Sequence, residues 1–312
     1  MRQSKVIGID LGATNIRGAV VDGDALGVGQ DISADSGDAL SEIISVRIHS
    51  DGTEQEVLED IYQVIDRLVG PEMAGIGIGV PSVVDVAEGI VYDVQYIPSW
   101  VEVPLKRLLE ARYRVPVFVN NDANCFALGE YYFGKGRAAT AKGDPRNGGE
   151  RRGRVSSLVG LTIGTGLGGG IVVNDRLYPG YNCGAGEIGL LPYKDQILEY
   201  YCSGSFFKNV HGLDGVAVFE AARKGDAKAR ALYAELGEHV GQAIKAVLYT
   251  YDPELIILGG SVSAAYDMFR ETMWAAVRTL AYVKTAERIK IEVSNLKNSG
   301  ILGAAALYYD AT

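Results

Sequence analysis

Cysteine is scarce. The chain has three in 312 residues, at positions 125, 183 and 202, odd in number, scattered and without a CxxC pair. That argues against a disulfide scaffold and reads as reduced thiols in a cytosol-like compartment. Basic residues are in deficit, 30 Lys and Arg against 39 Asp and Glu, a net charge of −9. General nucleic-acid binders and anionic-membrane binders want a basic face, so the balance points to a small-molecule ligand instead. Long apolar runs are also missing. The opening MRQSKVIGIDLGA is interrupted at Asp10 after four residues and fits neither a signal peptide nor an anchor. Nothing elsewhere approaches the ~20 residues of a spanning helix. The expectation is a cytoplasmic protein with no membrane or nucleic-acid partner.

Glycine, by contrast, is abundant, with 40 residues. Five of the seven positions from Gly164 to Gly170 are glycine, inside LVGLTIGTGLGGGIVV (158–173). The stretch contains G-x-G-x-x-G, but the dinucleotide fingerprint needs a helix next. Here IVVNDRLYPG follows, a strand and a turn, and no Gly-Lys-Ser/Thr completes a Walker pattern. What remains is a tight hairpin whose glycines leave backbone N–H groups bare as an anion nest. Without Cβ atoms a phosphate can approach the main chain, and Thr165 adds a hydroxyl. On this reading a side chain at Gly166 blocks a phosphate and spares other ligands.

The same pattern occurs earlier. IGIDLGATNIRGAVV (7–21) lies over VGLTIGTGLGGGIVV (159–173) at a constant offset of 152, with Gly8 on Gly160, Gly12 on Gly164 and Gly18 on Gly170. An offset near half the chain suggests two domains that each begin with a glycine-bearing hairpin. The first hairpin offers Gly12, Thr14 and Asn15, and Asp10 is a carboxylate suited to hydrated Mg²⁺.

Between the hairpins the pattern is α/β. SEIISVRIH reads as a strand, and Thr53 with Glu56 forms a capping box opening a helix to about residue 69. GIGIGV (75–80) is a buried strand, 104–114 a helix, VPVFVN (115–120) a strand, and a helix starts near Asp122. Later come helices over about 214–224, 227–250 and 264–281, strands LIILGG and KIEVS, and a closing helix SGILGAAALYYD. Residues 138–157, polar and rich in Gly and basic residues, read as an exposed loop.

The motifs IGIDLGATNIRGAVVD, GVPSVVD, VFVNNDAN, IGTGLGGG, GAGEIG and ELIILGG, in this order across nearly the whole chain, resemble the ROK family (repressor, open reading frame, kinase) of the hexokinase–actin–heat-shock ATPase superfamily. The resemblance implies two ribonuclease-H-like (actin-like ATPase) α/β domains with a cleft between them. The expected split is 1–121, with a C-terminal helix over about 298–312 packing back on it, and 122–297. It implies ATP and Mg²⁺ at the hairpins, with Gly259 and Gly260 bordering the adenosine and Thr165 and Gly166 at the phosphates. A sugar lies deeper, on Asn121, Glu187, Glu199 and Ser82. Taken alone, Asp122 or Asn121 reads as an N-cap at a strand–helix junction. The resemblance instead makes Asp122 the catalytic base, taking a proton from the sugar hydroxyl as it attacks the γ-phosphate. Dimers are common in the family, so the resemblance allows a homodimer, while the residues themselves do not give the oligomeric state.

The chain departs from the family pattern on the sugar side. Family kinases carry a His after GEIG and a Cys-rich loop that binds zinc; this chain has Leu190 and a shortened loop. Only Cys202 lies nearby, and the three His are at 49, 211 and 239. A structural zinc needs about four N/S ligands, so no zinc site is expected. Tyr96 stands where the family often has Asn, and Ser82 replaces a common Gly. The function implied is an ATP-dependent kinase of a hexose or N-acyl hexosamine, glucokinase-like. The alternative is a ROK protein that binds or senses a sugar with little or no turnover. A ROK regulator needs a winged helix before the first hairpin, which here begins at Val6.

Overall fold

Alternation in the strand Lys5–Leu11 sorts its side chains between two faces. Ile7, Ile9 and Leu11 enter one core with Val57, Leu58, Ile61, Val64 and Ile65 of the helix Glu54–Leu68. Val6 points the other way, into a cluster with Ile301, Leu302 and Ala305 of the helix Ser299–Ala311. Thr53 and Glu56 do form a reciprocal capping box, with Glu56 Oε2 accepting from the Thr53 N–H at 2.8 Å. Such a cap contributes about 1 kcal/mol, while each large apolar side chain buried contributes about 1.5–3 kcal/mol. The cap sets where the helix starts; the apolar stripe sets where it docks.

The computed structural model describes residues 5–23, 40–138 and 155–312; most of the 138–157 loop expectation lies outside them. The chain divides into two units, one of Met1–Val155, Asp175–Ala185 and Asn295–Thr312, the other of Ser156–Asn174 and Gly186–Ser294. The boundary expected after residue 121 is therefore corrected. The helix Asp122–Phe133 is buried almost throughout and packs against Ser299–Ala311 within the first unit.

The first unit's sheet runs, edge to edge, Ile44–Arg47, Asn15–Asp22, Lys5–Leu11, Met73–Val80, Val117–Asn121. Lys5–Leu11 is antiparallel to Asn15–Asp22 and parallel to Met73–Val80, which is parallel to Val117–Asn121. A small antiparallel sheet of Val83–Asp85, Ile90–Tyr92 and Glu102–Val103 follows the fourth strand.

The second unit repeats the theme. Ser157–Ile163 is antiparallel to Leu167–Val173 and parallel to Leu255–Gly259, which is parallel to Lys290–Val293. Helices Ala227–Thr250 and Tyr266–Val277 pack on one another. The expected helix over 264–281 resolves into a 3₁₀ turn, Ser261–Ala265, and Tyr266–Val277.

The registers amend the repeat. Leu11 pairs with Ile16 across a turn of residues 12–15, but Ile163 pairs with Leu167 across 164–166. The second turn is one residue shorter, so the offset of 152 holds for the first strands and drops by one after the turn. Gly168, Gly169 and Gly170 consequently sit inside a strand, paired with Thr162, Leu161 and Gly160. At Gly169 the reason is a close crossing: an added Cβ would fall 2.7 Å from the Gly186 carbonyl oxygen. Among the described residues, no helix is long and apolar enough to cross a membrane.

Candidate active site

In the first unit the candidate residues collect at the carboxyl ends of three adjacent parallel strands, where open α/β sheets place ligands. Asp10 pairs in register with Gly79, and Val80 with Asn121. Asn121 is the N-cap: its Oδ1 accepts from the Ala123 N–H at 2.8 Å, and its Nδ2 donates to the Ser82 carbonyl at 3.2 Å. Asp122 is the first helical residue and is exposed. The cap reading therefore belongs to Asn121. Burial first, then the nearby Asp122 and Asp10 carboxylates, pushes the Cys125 thiol well up.

Asp10 Oδ2 accepts from Arg17 Nη2 at 2.8 Å, a cross-strand pair. The second carboxylate oxygen, at a strand end beside the exposed turn 12–15, is a hard donor of the kind that holds Mg²⁺ through water. The residues fit that ion. The Gly12 N–H is not bare, because it donates to the Asn15 carbonyl at 3.0 Å and closes the turn; Thr14 and Asn15 are exposed.

Ser82 is committed to structure. Its hydroxyl donates to the Tyr92 carbonyl and its own carbonyl accepts from Asn121. Toward a ligand, Ser82 Oγ remains as an acceptor. Tyr96 is 46% exposed. A buried polar cluster lies behind Asp122, where Asn120 Oδ1 accepts from the Asn121 N–H at 2.8 Å and from Asn124 Nδ2 at 2.9 Å. Sequence reading missed Asn120 and Asn124, although both stand in the quoted NNDAN run.

In the second unit the hairpin turn Gly164–Thr165–Gly166 borders a cavity of about 770 Å³, within the range of small-molecule sites. Its walls include Lys208, Asp214, Ser261 and the aromatics Phe207, Phe219 and Tyr233. The Gly164 N–H is spent on the Gly166 carbonyl at 2.9 Å, while Thr165 is exposed. The loop after Cys202 braces the turn: Gly204 N–H donates to the Gly164 carbonyl at 2.7 Å, and Ser205 Oγ to the Thr165 carbonyl at 2.7 Å. Gly259 ends a strand, and Gly260, at φ 82°, leads into the Ser261 wall. Lys208, Asp214 and the aromatic wall escaped the sequence reading, because they converge from separate helices and loops.

Glu199 and Glu187 are brought together beside this turn. Glu199 Oε2 accepts from the Leu167 N–H at 2.8 Å. Glu187 is exposed at the surface, yet desolvation by the groups packed around it, and then the Glu199 carboxylate, shift its carboxyl upward from the ordinary value. Leu190 ends the 3₁₀ turn Ile188–Leu190 and is 58% exposed. Among the described residues, no three His, Cys, Asp or Glu gather as a metal site.

The ROK family model matches residues 6–142 and 146–311. A glucokinase from Thermotoga maritima is 27% identical over 341 residues, covering 98% of this chain and 98% of its own. A xylose repressor from Caldicellulosiruptor bescii is 26% identical over 304 residues, covering 86% of this chain and 71% of its own. A ROK family glucokinase from Streptomyces griseus, crystallised with glucose and AMPPNP, superposes with a TM-score of 0.72 at 26% identity, over 97% of this chain and 99% of that one. With two α/β units of the actin-like type and a family match over nearly its whole length, this chain belongs to the ROK family, among whose members are both sugar kinases and repressors.

Proposed function

We propose that this chain is an ATP-dependent kinase of a hexose or an N-acyl hexosamine. The observation that carries the reading is the division of labour at the strand–helix junction. Asn121 caps the helix, and the adjacent carboxylate of Asp122 is exposed at the ligand-bearing end of the sheet.

In this mechanism an Asp122 oxygen accepts the proton of a sugar hydroxyl. The hydroxyl oxygen forms its bond to the γ-phosphorus while the bond from that phosphorus to the ADP oxygen breaks. Base catalysis of this kind contributes about 10²–10⁴-fold. Asp10 would hold Mg²⁺ through water, and a bound ion would supply positive charge to offset that of the phosphates. The nucleotide occupies the second unit's cavity, its base against the Phe207, Phe219 and Tyr233 side and its phosphates toward Thr165 and Gly166. Glu199 and Glu187 take sugar hydroxyls, Glu199 as an acceptor. Asn121 keeps one Nδ2 hydrogen for the sugar, and Ser82 its Oγ lone pair.

A second reading is favoured by a specific observation. Ser82 and Asn121 spend much of their hydrogen-bonding capacity inside the fold, and repressors are among the relatives. A protein that binds a sugar and turns it over slowly or not at all is consistent with both. A panel of hexoses and N-acyl hexosamines with MgATP, read as ADP release, separates the two. The kinase reading expects ADP release dependent on one sugar class. Sugar binding by calorimetry with no ADP release from any panel member would favour the sensor.

A further inference from the structure

Glu199 sits on a helix of five residues, Leu198–Cys202. A helix that short has no stability of its own in water, so tertiary contacts must place its carboxylate. The other four side chains are all engaged. Leu198 and Cys202 are buried. Tyr200 Oη donates to the Asn209 carbonyl at 2.9 Å. Tyr201 is gripped by the turn of the hairpin Pro192–Tyr193/Gln196–Ile197: its hydroxyl donates to Asp195 Oδ1, and Lys194 Nζ lies 4.7 Å from its ring centroid.

Behind this turn stands His239, 4% exposed, in the middle of the long helix Ala227–Thr250. Its Nδ1 lies 3.0 Å from Tyr193 Oη. Its ring meets those of Tyr193, Tyr201 and Phe206 at centroid distances of 5.7, 5.1 and 5.7 Å. Tyr193 and Tyr201 themselves meet edge to face at 5.5 Å. Three rings from three elements thus lock the hairpin to the short helix and both to the long helix. His239 Nε2 makes no hydrogen bond among the described residues and faces the Glu235 carboxylate only at 3.9 Å; burying so polar a ring is costly, and a purely space-filling position would be better served by an apolar one.

We infer that Tyr193, Tyr201 and His239 are positioning residues that hold Glu199 against the Leu167 amide and thereby set the protein's affinity for its sugar. The placement of Glu199 stands on the geometry alone; the consequence for sugar affinity rests on the kinase reading above.

The experiment has two arms. Hydrogen exchange at the Leu167 amide reads whether Glu199 still holds it, with no substrate present. Steady-state kinetics reads sugar KM, nucleotide KM and kcat. In Tyr193→Ala, Leu167 exchange should speed up about tenfold or more and sugar KM should rise by a similar factor. Nucleotide KM and kcat should hold within about twofold. Tyr193→Phe keeps the ring contacts and loses only the hydroxyl, so it should recover most of the wild-type protection and KM. His239→Ala is the more disruptive companion, to be read only where its thermal melt is cooperative. Wild-type protection of Leu167 in a folded Tyr193→Ala protein overturns the inference. Lost protection with an unchanged sugar KM overturns the inference at its second step, because Glu199 then does not set sugar affinity; absence of turnover with every sugar in the wild-type protein is the separate failure of the kinase reading.

Discussion

The Glu199 carboxylate and the Leu167 N–H meet at 2.8 Å, which ties the glycine hairpin of the second unit to the short helix of a separate loop. A Cβ placed on Gly166 would strike that same Glu199 carboxylate. The glycine turn and Glu199, which the proposed function assigns to phosphate and to sugar, are therefore not independent, contrary to the expectation that a Gly166 side chain would spare other ligands.

Gly166→Val should accordingly weaken both substrates. Titration calorimetry with AMPPNP and with the preferred sugar, each alone, should show about tenfold or greater loss for each. Wild-type sugar affinity in the variant would mean that Glu199 is not a sugar ligand.

Glu187 offers a pH-dependent test. Its carboxyl is raised in the fold, so the folded protein holds this proton more tightly than the unfolded chain, whose value is near 4.5. Below that value both states are protonated and the group is neutral toward stability; as pH rises past it, the unfolded chain ionises first and stability is lost. Glu187→Gln should therefore melt slightly higher than wild type at pH 7, with the difference closing toward pH 4. Sugar affinity should fall in the same variant. Melts that coincide at both pH values would contradict the crowding of Glu187 by Glu199.

Asp10→Asn tests the magnesium role. The Asp10–Arg17 pair is partly exposed, at 24% and 41% for the two side chains, and such pairs contribute only about 0–1 kcal/mol. The variant should melt within a few degrees of wild type. Its turnover should fall at least about tenfold and require more Mg²⁺ for half-maximal rate. An unchanged Mg²⁺ dependence would place the ion elsewhere.

Much of the fold is legible in the sequence where apolar runs are continuous or a cap is explicit. GIGIGV and LIILGG are buried strands, and Thr53 with Glu56 marks a helix start to the residue. The hairpin pair is legible as a repeat, but its turn lengths are not, since one residue more or less changes no hydrophobic pattern. The short sheet of 83–103 and the hairpin 192–197 rest on strands of two or three residues, too few to show a period. The unit boundary was misplaced because the helix Asp122–Phe133 declares its allegiance only by packing on a helix some 170 residues later. At the site, residue types were legible while their existing hydrogen bonds were not. Nothing local shows that the Ser82 hydroxyl is spent on Tyr92, and the sequence marks a cap at 121 or 122 without choosing between the two residues.

Zinc content checks the shortened loop. With Leu190 exposed and Cys202 buried, purified protein should carry far less than one zinc per chain, and chelation should leave its melt unchanged. About one zinc per chain by elemental analysis would contradict this.

The most direct test of the kinase account is the phosphoryl-transfer rate of Asp122→Asn. Asn121 supplies the cap oxygen, so the amide at 122 should leave the melting temperature and AMPPNP affinity near wild type. It cannot take up the hydroxyl proton, so transfer to the preferred sugar should fall by about 10²–10⁴-fold. A variant that melts normally and phosphorylates at the wild-type rate would contradict the role of Asp122.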